Sequence, residues 1–129
     1  MTKHSPVVYL VEDDEGARDS TRTLLDIMGF IVEQYETAEE LLDSGGPLEG
    51  GCVLADLGLP GMTGQQLYRT LRDRGSNVPV ILMSGHADSA LIDEATEAGV
   101  EAFLMKPVAP KELTELLRAV LARLAVARE

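Results

Sequence analysis

The sequence predicts an α/β protein built on one parallel sheet. Short apolar runs, Val7–Val11, Cys52–Ala55, Val80–Met83 and Ala102–Met105, alternate with longer amphipathic stretches, the pattern of successive strand–helix units. The first three of these runs are apolar throughout, as expected of strands covered by helices on both faces. The chain has 129 residues, the length of one domain and enough for a core without disulfides or a structural metal. Right-handed crossovers leave few ways to assemble such units.

Each element has its own signal. The first strand is Val7–Val11. A helix follows from about Glu15 to Met28, and Gly29 is placed to end it. The second strand is Phe30–Gln34. A short helix runs from Ala38 to Asp43, with Thr37 and Glu40 spaced as a capping box. Gly45, Gly46, Pro47, Gly50 and Gly51 make a turn-rich connector. The third strand is Cys52–Asp56, and the loop after it carries Gly58, Pro60 and Gly61. A third helix runs from Gly64 to Arg74. The fourth strand is Val80–Met83, the fourth helix Ser89–Ala98 and the fifth strand Glu101–Met105. In the last helix Leu113, Leu116, Leu117, Val120, Leu121 and Leu124 recur at helical spacing, and Pro110 suits its first turn. That stripe reads as packing against the sheet rather than a membrane or coiled-coil face. The expectation is a single domain over residues 1–129, with a core from roughly 6 to 125.

Composition narrows the function. The formal charge of −11 argues against direct attraction to nucleic acid or anionic lipid. The lone Cys52 cannot form an internal disulfide, and no Cys/His cluster suggests zinc. A reducing cytoplasm is the expected compartment. The chain shows neither an apolar signal core nor an apolar run long enough to span a bilayer.

The chemistry lies at the strand ends. The four apolar runs lead into Glu12-Asp13-Asp14, Asp56, Ser84 and Lys106. In parallel sheets these ends share one edge, where open α/β folds form their ligand crevice. Each residue has an ordinary reading: a solvated acidic loop favouring a helix N-terminus, a strand-ending aspartate, a turn hydroxyl, a surface lysine. Their coincidence at four strand ends favours chemistry. Crowded carboxylates call for a cation, and hard oxygen ligands suit Mg²⁺. Asp56 could then act as a nucleophile that becomes an aspartyl phosphate. His86 reads as a loop residue tuning access, His4 as part of a terminus, and Met62, Met83 and Met105 as packing residues.

These residues resemble the receiver domain of two-component response regulators, over nearly the whole chain. The resemblance rests on Glu12-Asp13-Asp14, Asp56, Leu59-Pro60-Gly61-Met62-Thr63-Gly64, Ser84-Gly85 and Lys106-Pro107, in that order and spacing. Ser84-Gly85-His86-Ala87-Asp88 is similar to the FixJ-type subgroup. The resemblance implies a flavodoxin-like, five-stranded parallel sheet in order 2-1-3-4-5 with helices on both faces. It implies Asp13 and Asp14 as metal-binding acids, and Asp56 as both phosphoacceptor and ligand. It further implies the Gly58 carbonyl as a Mg²⁺ ligand, Ser84 as the hydroxyl that follows the phosphoryl group, Lys106 as its cation and Phe103 as the aromatic switch. The Lys106-Pro107 peptide is usually cis in such domains.

The implied partners are a sensor histidine kinase or phosphotransfer protein, and an output domain or downstream protein on the face of the fourth helix, fifth strand and fifth helix. A homodimer formed on phosphorylation also belongs to this reading. Two positions depart from common patterns: Gly58 offers no side chain near the phosphate, and Val108 replaces an aromatic residue.

Three rival readings meet obstacles in the sequence. A Mg²⁺-dependent phosphatase with an aspartate nucleophile would need a second aspartate where Gly58 stands. A flavin carrier would need hydroxyls and amide donors where Glu12-Asp13-Asp14-Glu15 stands. A pseudo-receiver would lack some of the acids, Ser84 or Lys106, and this sequence has them all.

Overall fold

The computed structural model describes residues 6–45, 48–86 and 89–127. Five strands and five helices alternate: β1 (Val7–Val11), α1 (Glu15–Ile27), β2 (Ile31–Tyr35), α2 (Ala38–Asp43), β3 (Cys52–Asp56), α3 (Gly64–Asp73), β4 (Val80–Ser84), α4 (Ser89–Ala98), β5 (Ala102–Met105) and α5 (Pro110–Ala127). The sheet order is β2-β1-β3-β4-β5, and every pairing is parallel. This is the expected flavodoxin-like arrangement.

Strand alternation sorts the core into two layers. Val8 and Leu10 of β1, Leu54 of β3 and Ile81 of β4 pack with Leu25 of α1 and Leu113 and Leu117 of α5. Tyr9 and Val11, Val53 and Ala55, and Val80 and Leu82 pack instead with Leu41 of α2, Leu67 and Leu71 of α3, and Ala95 of α4. Helices α1 and α5 thus cover one face, and α2, α3 and α4 the other. Burying each such Leu or Val contributes roughly 1.5–3 kcal/mol before entropy is counted. The α5 stripe behaves as expected: Leu113, Leu117, Val120 and Leu121 are buried, while Leu116 and Leu124 pack at the margin of the same layer.

Some boundaries differ from the sequence reading. The second strand starts at Ile31, because the Phe30 amide bonds back to the Leu25 carbonyl at 3.0 Å, closing the turn that ends α1. Gly29 has φ +91 there, a conformation that favours glycine. The fifth strand begins at Ala102, which pairs with Ile81, and the fourth extends to Ser84, which pairs with Met105. Met105 is 44% exposed rather than packed inside, since it falls on an edge strand. Both α2 and α3 start with a capping box, at Thr37/Glu40 and Thr63/Gln66. Gly46 and Pro47 of the connector, and His4, lie outside the described residues. Among the described residues, no helix is long and apolar enough to cross a membrane.

Candidate phosphoryl-transfer site

Asp56 closes β3, so its backbone is fixed by the sheet while its side chain projects beyond it. One carboxylate oxygen, Oδ1, accepts the Gly58 amide at 2.8 Å. The other, Oδ2, accepts the Lys106 ammonium at 2.6 Å. Lys106 follows β5 and also donates to Glu12 Oε1 at 2.5 Å. The ammonium therefore ties the ends of β1, β3 and β5 together. The Lys106–Pro107 peptide is cis. Gly64 lets α3 approach closely: a Cβ there would lie 2.7 Å from the Asp56 carbonyl oxygen and 2.9 Å from Leu82 Cδ2.

Carboxylate oxygens of Glu12, Asp13 and Asp56 lie within 4.8 Å of one another. The sequence reading paired Asp13 with Asp14, and here the structure differs. Asp14 is the N-cap of α1, and its Oδ2 accepts the Ala17 amide at 2.7 Å. An aspartate three residues before a helical amide is an N-cap signal in its own right. Asp14 stands outside the group of Glu12, Asp13 and Asp56. Glu12 takes the place in the acidic group instead. Its side chain is 2% exposed, and its buried Oε2 has no hydrogen-bond partner.

The electrostatics separate the two carboxyls that share Lys106. Burial pushes the Glu12 carboxyl above its ordinary value, with Lys106 only partly opposing it. Burial acts the same way on Asp56, but Lys106, the Gly58 amide and the Glu12 carboxyl outweigh it and hold Asp56 below its ordinary value. Lys106 is driven up despite burial, by its bonds to Asp56 and Glu12. The charged form is thus favoured more strongly at Asp56 than at Glu12.

Ser84 ends β4 and is buried; its Oγ accepts the His86 amide at 3.1 Å. Phe103 pairs with Leu82 across the β4–β5 ladder, so ring and Ser84 hydroxyl stand on the same face of the sheet. The ring is half-buried against the α2–α3–α4 layer. His86 is exposed, and Ala87 and Asp88 of the subgroup motif lie outside the described residues. Val108 packs against the α1–α5 layer. Arg18 was not singled out in the sequence, where a basic residue in a helix's first turns looks like surface. It is buried, and its Nη1 donates to the Glu12 carbonyl at 2.9 Å.

Known proteins agree with this geometry. The model of the response regulator receiver domain matches residues 8–118. The transcriptional regulatory protein FixJ of Azorhizobium caulinodans is 38% identical over 116 residues, covering 90% of this chain and 55% of that protein. The response regulator protein TodT of Pseudomonas putida is 31% identical over 121 residues, covering 94% and 53%. Full-length FixJ from B. japonicum superposes with a TM-score of 0.87 at 32% identity, over 98% of this chain and 62% of that one. FixJ-N superposes at 0.84 with 31% identity, over 93% and 96%. The chain spans about half the length of the curated relatives it matches. With its sheet order, its strand-end acids and lysine, and these relatives, the chain belongs to the response regulator receiver domains and resembles the FixJ type within them.

Proposed function

We propose that this domain takes a phosphoryl group from the phosphohistidine of a sensor histidine kinase or phosphotransfer protein onto Asp56, with Mg²⁺ bound. The observation that carries it is Lys106 held between Asp56 and Glu12, at the C-terminal edge of the sheet. Asp56 attacks phosphorus, the phosphorus–nitrogen bond breaks, and the imidazole leaves. Lys106 is placed to transfer its bond from the carboxylate to a phosphoryl oxygen and spread the developing charge. Hydrolysis of the acyl phosphate by water later resets the domain. The only covalent change is to the protein itself, so this is a switch rather than a turnover enzyme.

The donor set fits the metal: hard carboxylate oxygens of Asp13 and Asp56, close to the partnerless oxygen of Glu12. Asp13, Asp56 and the Gly58 carbonyl would hold it, with Glu12 beside them in place of Asp14. When bound, Mg²⁺ neutralises the acidic group and the phosphoryl oxygens.

Output follows from the phosphoryl group drawing the Ser84 hydroxyl towards it. That movement gives Phe103 room to turn inward, and the α4–β5–α5 surface changes shape. Leu91 of α4 and Met105 of β5 are 38% and 44% exposed there, apolar area suited to a partner, an output domain or a second copy. The cytoplasm is the compartment that suits this role and a buried, unpaired Cys52.

The test is intact-mass measurement after incubation with acetyl phosphate and Mg²⁺. The native protein should gain one phosphoryl group and Asp56→Asn none, because an amide is a far weaker nucleophile. Equal labelling of both excludes Asp56.

A further inference from the structure

Among the described residues, the buried polar or charged side chains are Glu12, Arg18, Ser84 and Thr114. Thr114 bonds to carbonyls of its own helix, and Glu12 and Ser84 belong to the site above. Arg18 has no part in the phosphoryl chemistry, yet its side chain is taken almost wholly out of water. Its Nη1 donates to the Glu12 carbonyl at 2.9 Å, and its Nη2 lies 3.8 Å from Glu36 Oε1. A buried guanidinium with one short hydrogen bond is a costly way to fill space. What it provides is a directed, charge-assisted bond at one chosen carbonyl.

That carbonyl belongs to the acidic loop. The Glu12 amide donates to the Tyr35 carbonyl at 3.0 Å, so the Glu12 main chain is held from β2 on one side and from Arg18 on the other. The Arg18 amide makes the ordinary first-turn bond of α1 to the Asp14 carbonyl at 2.8 Å, which sets the guanidinium beside the loop it holds. A cavity of about 200 Å³ lined by Arg18, Gln34, Tyr35, Glu36 and Glu40 lies beside the guanidinium. The loop needs such a hold. Three carboxylates converge within 4.8 Å; Lys106 bridges Glu12 and Asp56, but among the described residues Asp13 has no such bridge, and its repulsion is relieved if the loop turns it away from Asp56.

We propose that Arg18 is a positioning residue for the cation site: by holding the Glu12 carbonyl it keeps Glu12 and Asp13 turned towards Asp56 before the metal arrives. This rests on the Mg²⁺ reading of the site. Groups that orient metal ligands from outside commonly change affinity by roughly 10–100-fold when removed.

The test is calorimetric Mg²⁺ titration of the native protein and of Arg18→Met, Arg18→Gln and Arg18→Lys, with Asp13→Asn as the control that removes a ligand. Arg18→Met should bind Mg²⁺ roughly tenfold more weakly or worse. Arg18→Lys, which keeps the charge and one donor, should fall between it and the native protein. In acetyl phosphate labelling, the Mg²⁺ needed for half-maximal rate should rise by the same factor, with the rate at saturating Mg²⁺ close to native. A purely structural arginine would lower the melting temperature and leave the Mg²⁺ affinity of the folded protein unchanged, and that result overturns the proposal. If Arg18→Met does not fold, native affinity in a folded Arg18→Gln overturns it equally. Native protein that takes no Mg²⁺ at millimolar concentration defeats the metal reading itself, and the positioning role with it. Native binding together with equal binding by the variants defeats the positioning role alone.

Discussion

Lys106 holds two carboxylates on one ammonium, and the three groups differ in what they lose by burial. Glu12 is the deepest and the one pushed towards its neutral form, whereas Asp56 keeps its charge through Lys106 and the Gly58 amide. A single backbone amide from Gly58 thus contributes to the state of the Asp56 carboxyl, although that residue has no side chain to offer. Gly64 is the second glycine with a defined task. Gly64→Ala would press a methyl group onto the Asp56 carbonyl and Leu82. It should cost about 1–3 kcal/mol in urea unfolding. It should also slow acetyl phosphate labelling, since the end of β3 must shift. An unfolding midpoint equal to native would show that α3 yields without strain.

At the scale of elements, the residue that leads into edge strand β5 is tied to α5 by a bidentate pair. Arg123 donates to Glu101 Oε2 at 2.9 Å and to Oε1 at 2.6 Å. Those bonds hold the Glu101 carboxyl below its ordinary value, against the opposing effect of burial. A carboxyl lowered in the folded state stabilises above its unfolded pKa, and that contribution fades as pH falls through the folded value. Arg123→Ala should therefore be less stable than native by about 0.5–1 kcal/mol at neutral pH, a modest figure because the pair is partly solvated. The gap should close in acid, where Glu101 is protonated in both proteins. Urea midpoints on both sides of the carboxylate range would check this, and a gap that persists in acid would assign the loss to packing. Next to this pair, Phe103 is only half-buried, which leaves the ring room to move. Saturation of the Asp56 site with beryllofluoride and Mg²⁺ should shift NMR signals of Phe103 and of α4 and β5. A full site without those shifts would remove Phe103 from the switch.

For the whole molecule, folding is what assembles the acidic group, since Glu12 and Asp13 follow β1, Asp56 ends β3, and they meet only across the sheet. A ligand of the folded state alone stabilises by mass action. At a Mg²⁺ concentration roughly tenfold above its dissociation constant the gain is about 1.4 kcal/mol, a rise of several degrees in melting temperature. Asp13→Asn should abolish most of that rise, and an equal rise in native and variant proteins would place the metal elsewhere. The formal charge of −11 adds a weaker, salt-dependent effect of any divalent cation, so the comparison belongs at fixed ionic strength.

The residues alone determined the fold class, the element order and most of the site, because each of those is written locally. Apolar runs, capping boxes and glycine stops need no distant partner to be recognised, and strand ends share an edge once the sheet is parallel. The strand-end placement of Asp56, Ser84 and Lys106 was legible for that reason. The choice between Glu12 and Asp14 was not. Both are acids in one short run, and only the three-dimensional course of the chain turns Glu12 inward to Lys106 while Asp14 caps α1. Arg18 was hidden for the same reason. A charged residue in a helix reads as surface until packing removes it from water, and the carbonyl it holds has no signature in sequence. Tertiary structure decided these points because burial and hydrogen-bond direction depend on what lies across the sheet, not on the neighbours along the chain.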